Sequence, residues 1–358
     1  MHHKGQLMKL PQWLLCFTCV LACLSTACYG AEKARVVILA TGGTIAGSGA
    51  SSTSATYTAA KVPVEQLINA VPEIQELADV KGEQVAQIAS QAMTTAIWQQ
   101  LATRVSALLD QSGVDGIVIT HGTDTMEETA FFLDLVIKSN KPVVLVGAMR
   151  PSTSLSADGN INLFNAVAAA ANPQLQGYGV VVAMSDTLYA ARDVTKTHTT
   201  AVDTFQSRRK GPIARIEFGN IDFYQPPRSE NPSPFSTSDI SQLPIVDIVY
   251  GYANASPVPI QALVEHGSRG IVHAGVGNGN LFPAVENALA EARKKGVVIV
   301  RASRVGAGQV VRNAEVNDDA LDFVVASDLN PQKARIVLML GLAKKMSASQ
   351  LQALFDLL

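Results

Sequence analysis

Apolar positions along this chain fall into short continuous runs separated by helical repeats. Val36-Val37-Ile38-Leu39-Ala40 is apolar throughout and rich in β-branched residues, and short enough to predict a strand buried on both faces. It ends at Thr41-Gly42-Gly43-Thr44-Ile45-Ala46-Gly47, where two glycines permit a sharp turn and leave no Cβ to shield the Thr44 hydroxyl. Ser48 to Ala60 consists almost wholly of Gly, Ser, Thr and Ala, with Tyr57 its only large side chain, a composition suited to a mobile flap. Pro63 to Ala78 then predicts a helix, and Gln84 to Ala89 a second strand running into Ser90-Gln91-Ala92-Met93. Ile97, Leu101, Val105 and Leu108 recur at helical spacing, and Gly116-Ile117-Val118-Ile119-Thr120 predicts a third strand leading into His121-Gly122-Thr123-Asp124. Thr125-Met126-Glu127-Glu128 has the form of a capping box opening a helix to about Lys138.

The alternation continues with a strand over Val143 to Val146, a polar loop from Arg150 to Asn160, an alanine-rich helix from Leu163 to Ala171 and a strand from Val180 to Ala183. Arg192 to Thr197 lies in a less regular region from which Lys196 can fold back. Gln225 to Leu243, with Pro226, Pro227, Pro232, Pro234 and several serines, reads as a linker. Beyond it, strands are expected near Val246 to Tyr250, Gly270 to His273 and Val297 to Arg301. Asn330-Pro331 caps a helix through Lys344, and Ser347 to Gln350 caps a short final one. The pattern predicts an α/β fold of two domains. The larger N-terminal one, residues 31–224, holds a mostly parallel sheet flanked by helices; a linker over 225–243 leads to a smaller C-terminal α/β domain, 244–358. Parallel sheets bind ligands at the carboxyl ends of their strands. Thr44, Ser90 with Gln91, and Thr123 with Asp124 are therefore expected in one crevice.

Composition changes this picture mainly at the start of the chain. Its 358 residues are 47% hydrophobic and 6% aromatic, which indicates a globular protein. In residues 1–30, Lys9 precedes the apolar segment Trp13 to Leu24 and small residues follow around Ala27 and Gly30, the pattern of a secretory signal. Met8-Lys9 gives such a signal a more ordinary start than the His-Lys-Gly lead before it. Cleavage between Ala27 and Ala31 is expected to leave a soluble periplasmic protein, since no later stretch reaches the roughly 20 apolar residues of a membrane helix. Cys16, Cys19, Cys23 and Cys28 all lie in the signal, so the exported body has no disulfide. Lipid attachment at Cys28 or Cys23 is the alternative. Without the signal, 26 basic side chains face 30 acidic ones, and this weakly acidic balance argues against nucleic acid.

Several candidate chemistries fail on residue type or spacing. The Thr41 to Gly47 turn lacks the Lys-Ser/Thr ending of a phosphate loop, and its plainest reading is a tight turn with locally satisfied threonines. Gly275-Val276-Gly277-Asn278-Gly279 is a lone GxGxG that more often marks a close helix–strand approach. Ser90, His121 and Asp124 supply the residue types of a serine hydrolase without its GxSxG elbow. His121, His198, His266 and His273 lack metal-ligand spacing, so no metal is expected. The combination that makes chemical sense is a Thr44 nucleophile assisted by Tyr57, with Thr123, Asp124 and Lys196 as a second set. A threonine hydroxyl attacks poorly unless a base takes its proton. A free lysine, near pKa ~10.4, needs about 4.6 kcal/mol of preference for its neutral form to act as a base at pH ~7. Desolvation supplies that preference and a neighbouring carboxylate opposes it.

From Val36 onward the chain resembles the bacterial type II L-asparaginases of the asparaginase-glutaminase family. Two signatures carry the resemblance, Ala40-Thr41-Gly42-Gly43-Thr44-Ile45-Ala46-Gly47 and His121-Gly122-Thr123-Asp124-Thr125-Met126-Glu127-Glu128. It implies hydrolysis of L-asparagine to L-aspartate and ammonia, without cofactor or metal. Thr44 would be the nucleophile, forming a β-aspartyl ester, with Tyr57 its flap partner. Thr123, Asp124 and Lys196 would form the second triad. Ser90 and Gln91 would hold the substrate's α-carboxylate and Asp124 its α-amino group. Asn280 and Glu315 would close the site from a neighbouring subunit, in a homotetramer built from intimate dimers. Two departures stand out: Ala92 occupies a position where many members carry Asp or Asn, and Ser139 replaces one half of a cysteine pair found in one subset. Gln91 and Asn280 look like the asparagine-preferring branch, so glutaminase activity is the alternative. A periplasmic amino-acid binding protein without catalysis is the rival of another class.

Overall fold

In the structure, a computed structural model, residues 2, 32–53, 56–228 and 233–358 are described. The predicted signal segment therefore lies outside the described residues apart from position 2, as do residues 229–232 of the linker. The large sheet is built around β1 (Ala34–Gly42), which pairs in parallel with β2 (Ala78–Ile88) on one side and β3 (Gly116–Thr120) on the other. Beyond β3 the parallel run continues through β4 (Val143–Val146) to β5 (Val180–Met184). The sheet then turns antiparallel. A hairpin leads from β5 to β6 (Thr187–Ala190), and after the small ribbon of β7 (Val194–Lys196) with β8 (Phe205–Ser207), β9 (Ala214–Glu217) and β10 (Asn220–Phe223) extend the edge. The second sheet is parallel, in the order β11 (Val246–Tyr250), β12 (Gly270–Gly275), β13 (Val298–Ser303), β14 (Val324–Val325).

Three local expectations are corrected. Residues 63–78 do not form one helix: they split into Val64–Asn69 and Ile74–Leu77, because Pro72 cannot continue a helix and disfavours helical backbone at Val71. Ala78, expected at the helix end, instead opens β2, which begins well before Gln84 because Ala78 to Gln84 pair with Ala34 to Ala40. The capping box at Thr125 is not formed either. No side-chain bond caps the helix Met126–Val136; the Thr125 hydroxyl donates to the Ser90 carbonyl at 2.8 Å. By contrast, Asn330 accepts from the Lys333 N–H, and Ser347 forms a full capping box with Gln350.

The central strands β1, β3, β4 and β5 are buried on both faces, which is why they read as largely apolar runs. Leu39, Ile117, Ile119, Leu145 and Val182 pack on the side of the helices Thr95–Leu109 and Met126–Val136. Val36, Ile38, Val118, Val144 and Val181 pack on the other, against Gly159–Ala171. Residues 34–358 form one compact unit, and one apolar cluster runs from the large sheet into the small one. Its continuity rests on the helix Pro331–Ala343, buried at Lys333, at Ala334 and at every residue from Ile336 to Gly341.

Candidate active site

Three loops at the carboxyl ends of β1, β2 and β3 meet because glycines let them touch. Gly42 and Gly43 have φ of 109° and 81°, a region that disfavours side chains, and a Cβ on Gly43 would lie 2.3 Å from the Gly122 nitrogen. One on Gly122 would lie 2.5 Å from the Ser90 Oγ. The turns carrying Thr44, Ser90 and Thr123 are thus in contact at one end of the sheet.

Thr44 opens a short 3₁₀ turn, Thr44–Ala46, and is buried. Its Oγ1 lies 2.7 Å from the Tyr57 hydroxyl oxygen. Tyr57 is delivered by the flap, whose base is pinned by reciprocal backbone bonds between Ser48 and Thr58 of 3.0 and 2.9 Å. The tyrosine ring lies on the bare face of Gly47, where a Cβ would come within 2.9 Å of it. Lys196, at the end of β7, folds back as expected: its Nζ donates to Thr123 Oγ1 at 3.0 Å and to Asp124 Oδ1 at 2.6 Å. Thr123 is buried, whereas the Asp124 side chain is 58% exposed, so it is open to a ligand as well as to the lysine. The Asp124 N–H donates to Ser90 Oγ at 3.2 Å, and Gln91 lies exposed beside it.

Ser90, His121 and Asp124 do not form a hydrolase triad. The fully buried His121 turns away from Ser90: Nδ1 faces the Gly122 carbonyl at 2.7 Å and Nε2 the Thr129 hydroxyl at 2.9 Å. Since a carbonyl only accepts, Nδ1 carries the proton and Nε2 accepts from Thr129, whose oxygen accepts from Trp98 Nε1 at 2.9 Å. Burial holds the imidazole pKa down at about 4, so it stays neutral and fixes the Gly122 peptide.

Asn280 and Glu315 come together in the C-terminal half, where the Asn280 amide nitrogen donates to the Glu315 carboxylate. Among the described residues neither hydrogen-bonds to Thr44, Tyr57, Thr123, Asp124 or Lys196, and the Asn280 Oδ1 is buried without a partner. Both loops are organised by Arg301, which is itself fully buried. Its guanidinium grips the Asp318 carboxylate at 2.5 and 2.7 Å, the Asn278 and Gly279 carbonyls at 3.1 Å, and the Val311 carbonyl at 3.3 Å. Sequence reading missed Arg301, and missed Glu127, Asn330, Gln332 and Lys333 around the lysine. A signal existed for one of them: Arg301 falls in the otherwise apolar run Val297 to Ala302, where a buried charge requires partners. Among the described residues no group of His, Cys, Asp and Glu side chains could hold a metal ion, and no helix is long and apolar enough to cross a membrane.

The fold and site define an α/β protein with paired threonine hydroxyls, one beside a tyrosine and one beside a lysine and a carboxylate, the groups hydroxyl-nucleophile chemistry uses. Residues 35–229 match the family model for the asparaginase N-terminal domain, and 245–355 that for the glutaminase/asparaginase C-terminal domain. The chain belongs to the asparaginase family. It is 52% identical over 324 residues to L-asparaginase 2 of Escherichia coli, covering 90% of this chain and 92% of that one. It is 51% identical over 328 residues to the glutaminase-asparaginase of Pseudomonas fluorescens biotype A, covering 90% of each. A crystal structure described as a probable cytoplasmic L-asparaginase from Campylobacter jejuni is similar with a TM-score of 0.87 and 48% identity, over 90% of this chain and 99% of that one.

Proposed function

We propose that this protein hydrolyses L-asparagine to L-aspartate and ammonia by a covalent route. The observation that carries the reading is the Thr44 Oγ1 held 2.7 Å from the Tyr57 hydroxyl, in a turn packed directly on the one that presents Thr123 to Lys196. Thr44 Oγ1 attacks the side-chain amide carbon as its proton leaves through Tyr57, and the carbonyl π electrons move onto oxygen. Collapse of that intermediate breaks the C–N bond; the nitrogen takes up a proton and departs as ammonia, leaving a β-aspartyl ester on Thr44. Water then attacks the ester, and the threonine oxygen regains its proton as aspartate leaves. Thr123, with Asp124 and Lys196, acts at the attacked amide. Ser90 and Gln91 receive the α-carboxylate, and Asp124 the α-amino group. The reaction as written needs no cofactor.

Asn280 and Glu315 complete the site from a neighbouring subunit of a homotetramer assembled from intimate dimers. Support comes from the absence, among the described residues, of any hydrogen bond joining them to Thr44 or Tyr57 within one chain, and from exposed apolar side chains on the C-terminal half, among them Ile248, Tyr250 and Tyr252. The division into domains at 31–224 and 244–358, joined by 225–243, is part of this reading. So is a periplasmic location, which rests on the signal pattern of residues 1–30; the Campylobacter jejuni relative is described as cytoplasmic.

A second reading, substantial glutaminase activity, is favoured by the nearly equal identity to the glutaminase-asparaginase from Pseudomonas fluorescens. The two amides differ by one methylene, worth about 1–3 kcal/mol of discrimination in a pocket. Steady-state kinetics on both amides tests the proposal: kcat/KM should be higher for L-asparagine, and absence of ammonia release from either amide would overturn it.

A further inference from the structure

One buried charge has no place in the reaction above yet touches every support of its lysine. Glu127, 4% exposed on the helix Met126–Val136, accepts hydrogen bonds from both halves of the chain. Its Oε2 accepts from the Thr195 hydroxyl and the Lys196 backbone N–H, each at 2.7 Å. Its Oε1 accepts from Asn330 Nδ2 and Gln332 Nε2, each at 2.8 Å. Those bonds fill the roughly four lone-pair sites of a carboxylate. Next to Gln332 on the helix Pro331–Ala343, Lys333 Nζ donates to the carbonyls of Arg192 and Val194 at 2.9 and 2.5 Å. The segment so gripped is β7, three residues long and paired only with β8. A two-stranded ribbon is marginal by itself, so its position depends on these side chains.

We propose that Glu127 is a positioning residue for Lys196, through which the C-terminal half of the chain sets the ammonium in place at Thr123 and Asp124. The inference rests on the catalytic reading of Lys196 given above. All the partners of Glu127 are donors, which is why a carboxylate is required: a glutamine would turn its own N–H groups toward two of them. The loss from Glu127→Gln should fall mainly on kcat, because the residue touches neither Ser90 nor Gln91, and a displacement of the ammonium by 1 Å costs roughly 100-fold.

Kinetics of Glu127→Gln, Lys196→Ala and the double variant on L-asparagine test this. If Glu127 acts through the lysine, Glu127→Gln costs kcat heavily alone and almost nothing further once Lys196 is alanine. An equal fold-loss in both backgrounds overturns the proposal. Should Lys196→Ala keep full kcat, the catalytic reading of the lysine falls, and crystals of Glu127→Gln decide the positioning claim separately: Nζ displaced from Thr123 upholds it and Nζ in place overturns it. If Glu127→Gln does not fold, Gln332→Ala serves instead, since it removes one donor from a half-buried side chain. It should lower kcat about fivefold, the value of one hydrogen bond, with unchanged melting; an unchanged kcat overturns the proposal.

Discussion

Thr44 contributes a hydroxyl and almost no core volume, so Thr44→Ala should remove function without removing the fold. Turnover is expected to fall roughly 10³-fold or more, with a melting temperature close to wild type, as checked by single-turnover kinetics and a thermal scan. If Thr123→Ala were inactive and Thr44→Ala were not, the nucleophile would be Thr123. Tyr57→Phe should lower kcat more than it raises KM, because the ring still packs on Gly47 and only the proton path is lost; a raised KM with unchanged kcat would make Tyr57 part of a lid. His273 makes a different prediction. Both its ring nitrogens are buried without a partner, and burial, helped by Arg301, holds its pKa at about 4 against an ordinary 6.5. Between those pH values the unfolded chain binds more protons than the folded one, so stability present above pH 6.5 is lost as pH falls toward 4. His273→Leu should flatten that loss and stabilise the protein by about 1–3 kcal/mol at pH 5, read from melting at pH 7 and 5; an unchanged slope would clear His273. At this scale the sequence was informative where chemistry is conspicuous. A lone tyrosine among small residues points to itself, and a threonine between glycines does too. Glu127 stayed hidden because the neighbouring Glu128 matched a capping box that the fold does not use.

Among the elements, parallel strands buried on both faces were legible and the antiparallel ones at the edge were not. β1, β3, β4 and β5 lie buried on both faces and announce themselves as apolar runs. The short strands β6 to β10 owe their conformation to partners distant in sequence, as Ala214 owes its place to Leu188, and so few residues carry no readable period. The broken helix over 63–78 was readable at Pro72, where a run of good helix formers disguised the break. Arg301 links element to site. Arg301→Met leaves the Asp318 carboxylate buried and unpaired, which costs about 3–5 kcal/mol. It also frees the loops that hold Asn280 and Glu315, so KM for L-asparagine should rise in the fraction that folds. Denaturant titration and kinetics on the same preparation check both, and a destabilised variant with wild-type KM would confine Arg301 to a structural role. The turn at Gly43 is equally constrained: its φ of 81° and ψ of −170° lie in a region open essentially to glycine alone, so alanine there meets strain of about 1–3 kcal/mol and the Gly122 backbone besides.

For the whole molecule, the proposed sharing of sites predicts complementation. Thr44→Ala and Glu315→Ala should each be nearly inactive alone, yet in a mixed dimer one site inherits both lesions and the other neither. Random reassociation should restore roughly a quarter of wild-type activity, since half the dimers are mixed and each holds one sound site of two. No recovery on mixing would mean that each chain builds its own site. The helix Pro331–Ala343 adds a constraint of timing. It walls the core of both sheets and, through Asn330, Gln332 and Lys333, secures the strand that bears Lys196, yet it is synthesised only after the whole of residues 34–228. Residues 34–228 therefore lack one wall of their apolar face until that helix has been made, and the strand bearing Lys196 lacks its supports. A chain cut before Asn330 is expected to be inert as well as unstable. Under the periplasmic reading proposed above, that lateness would leave the nascent chain loose enough to thread through an export channel.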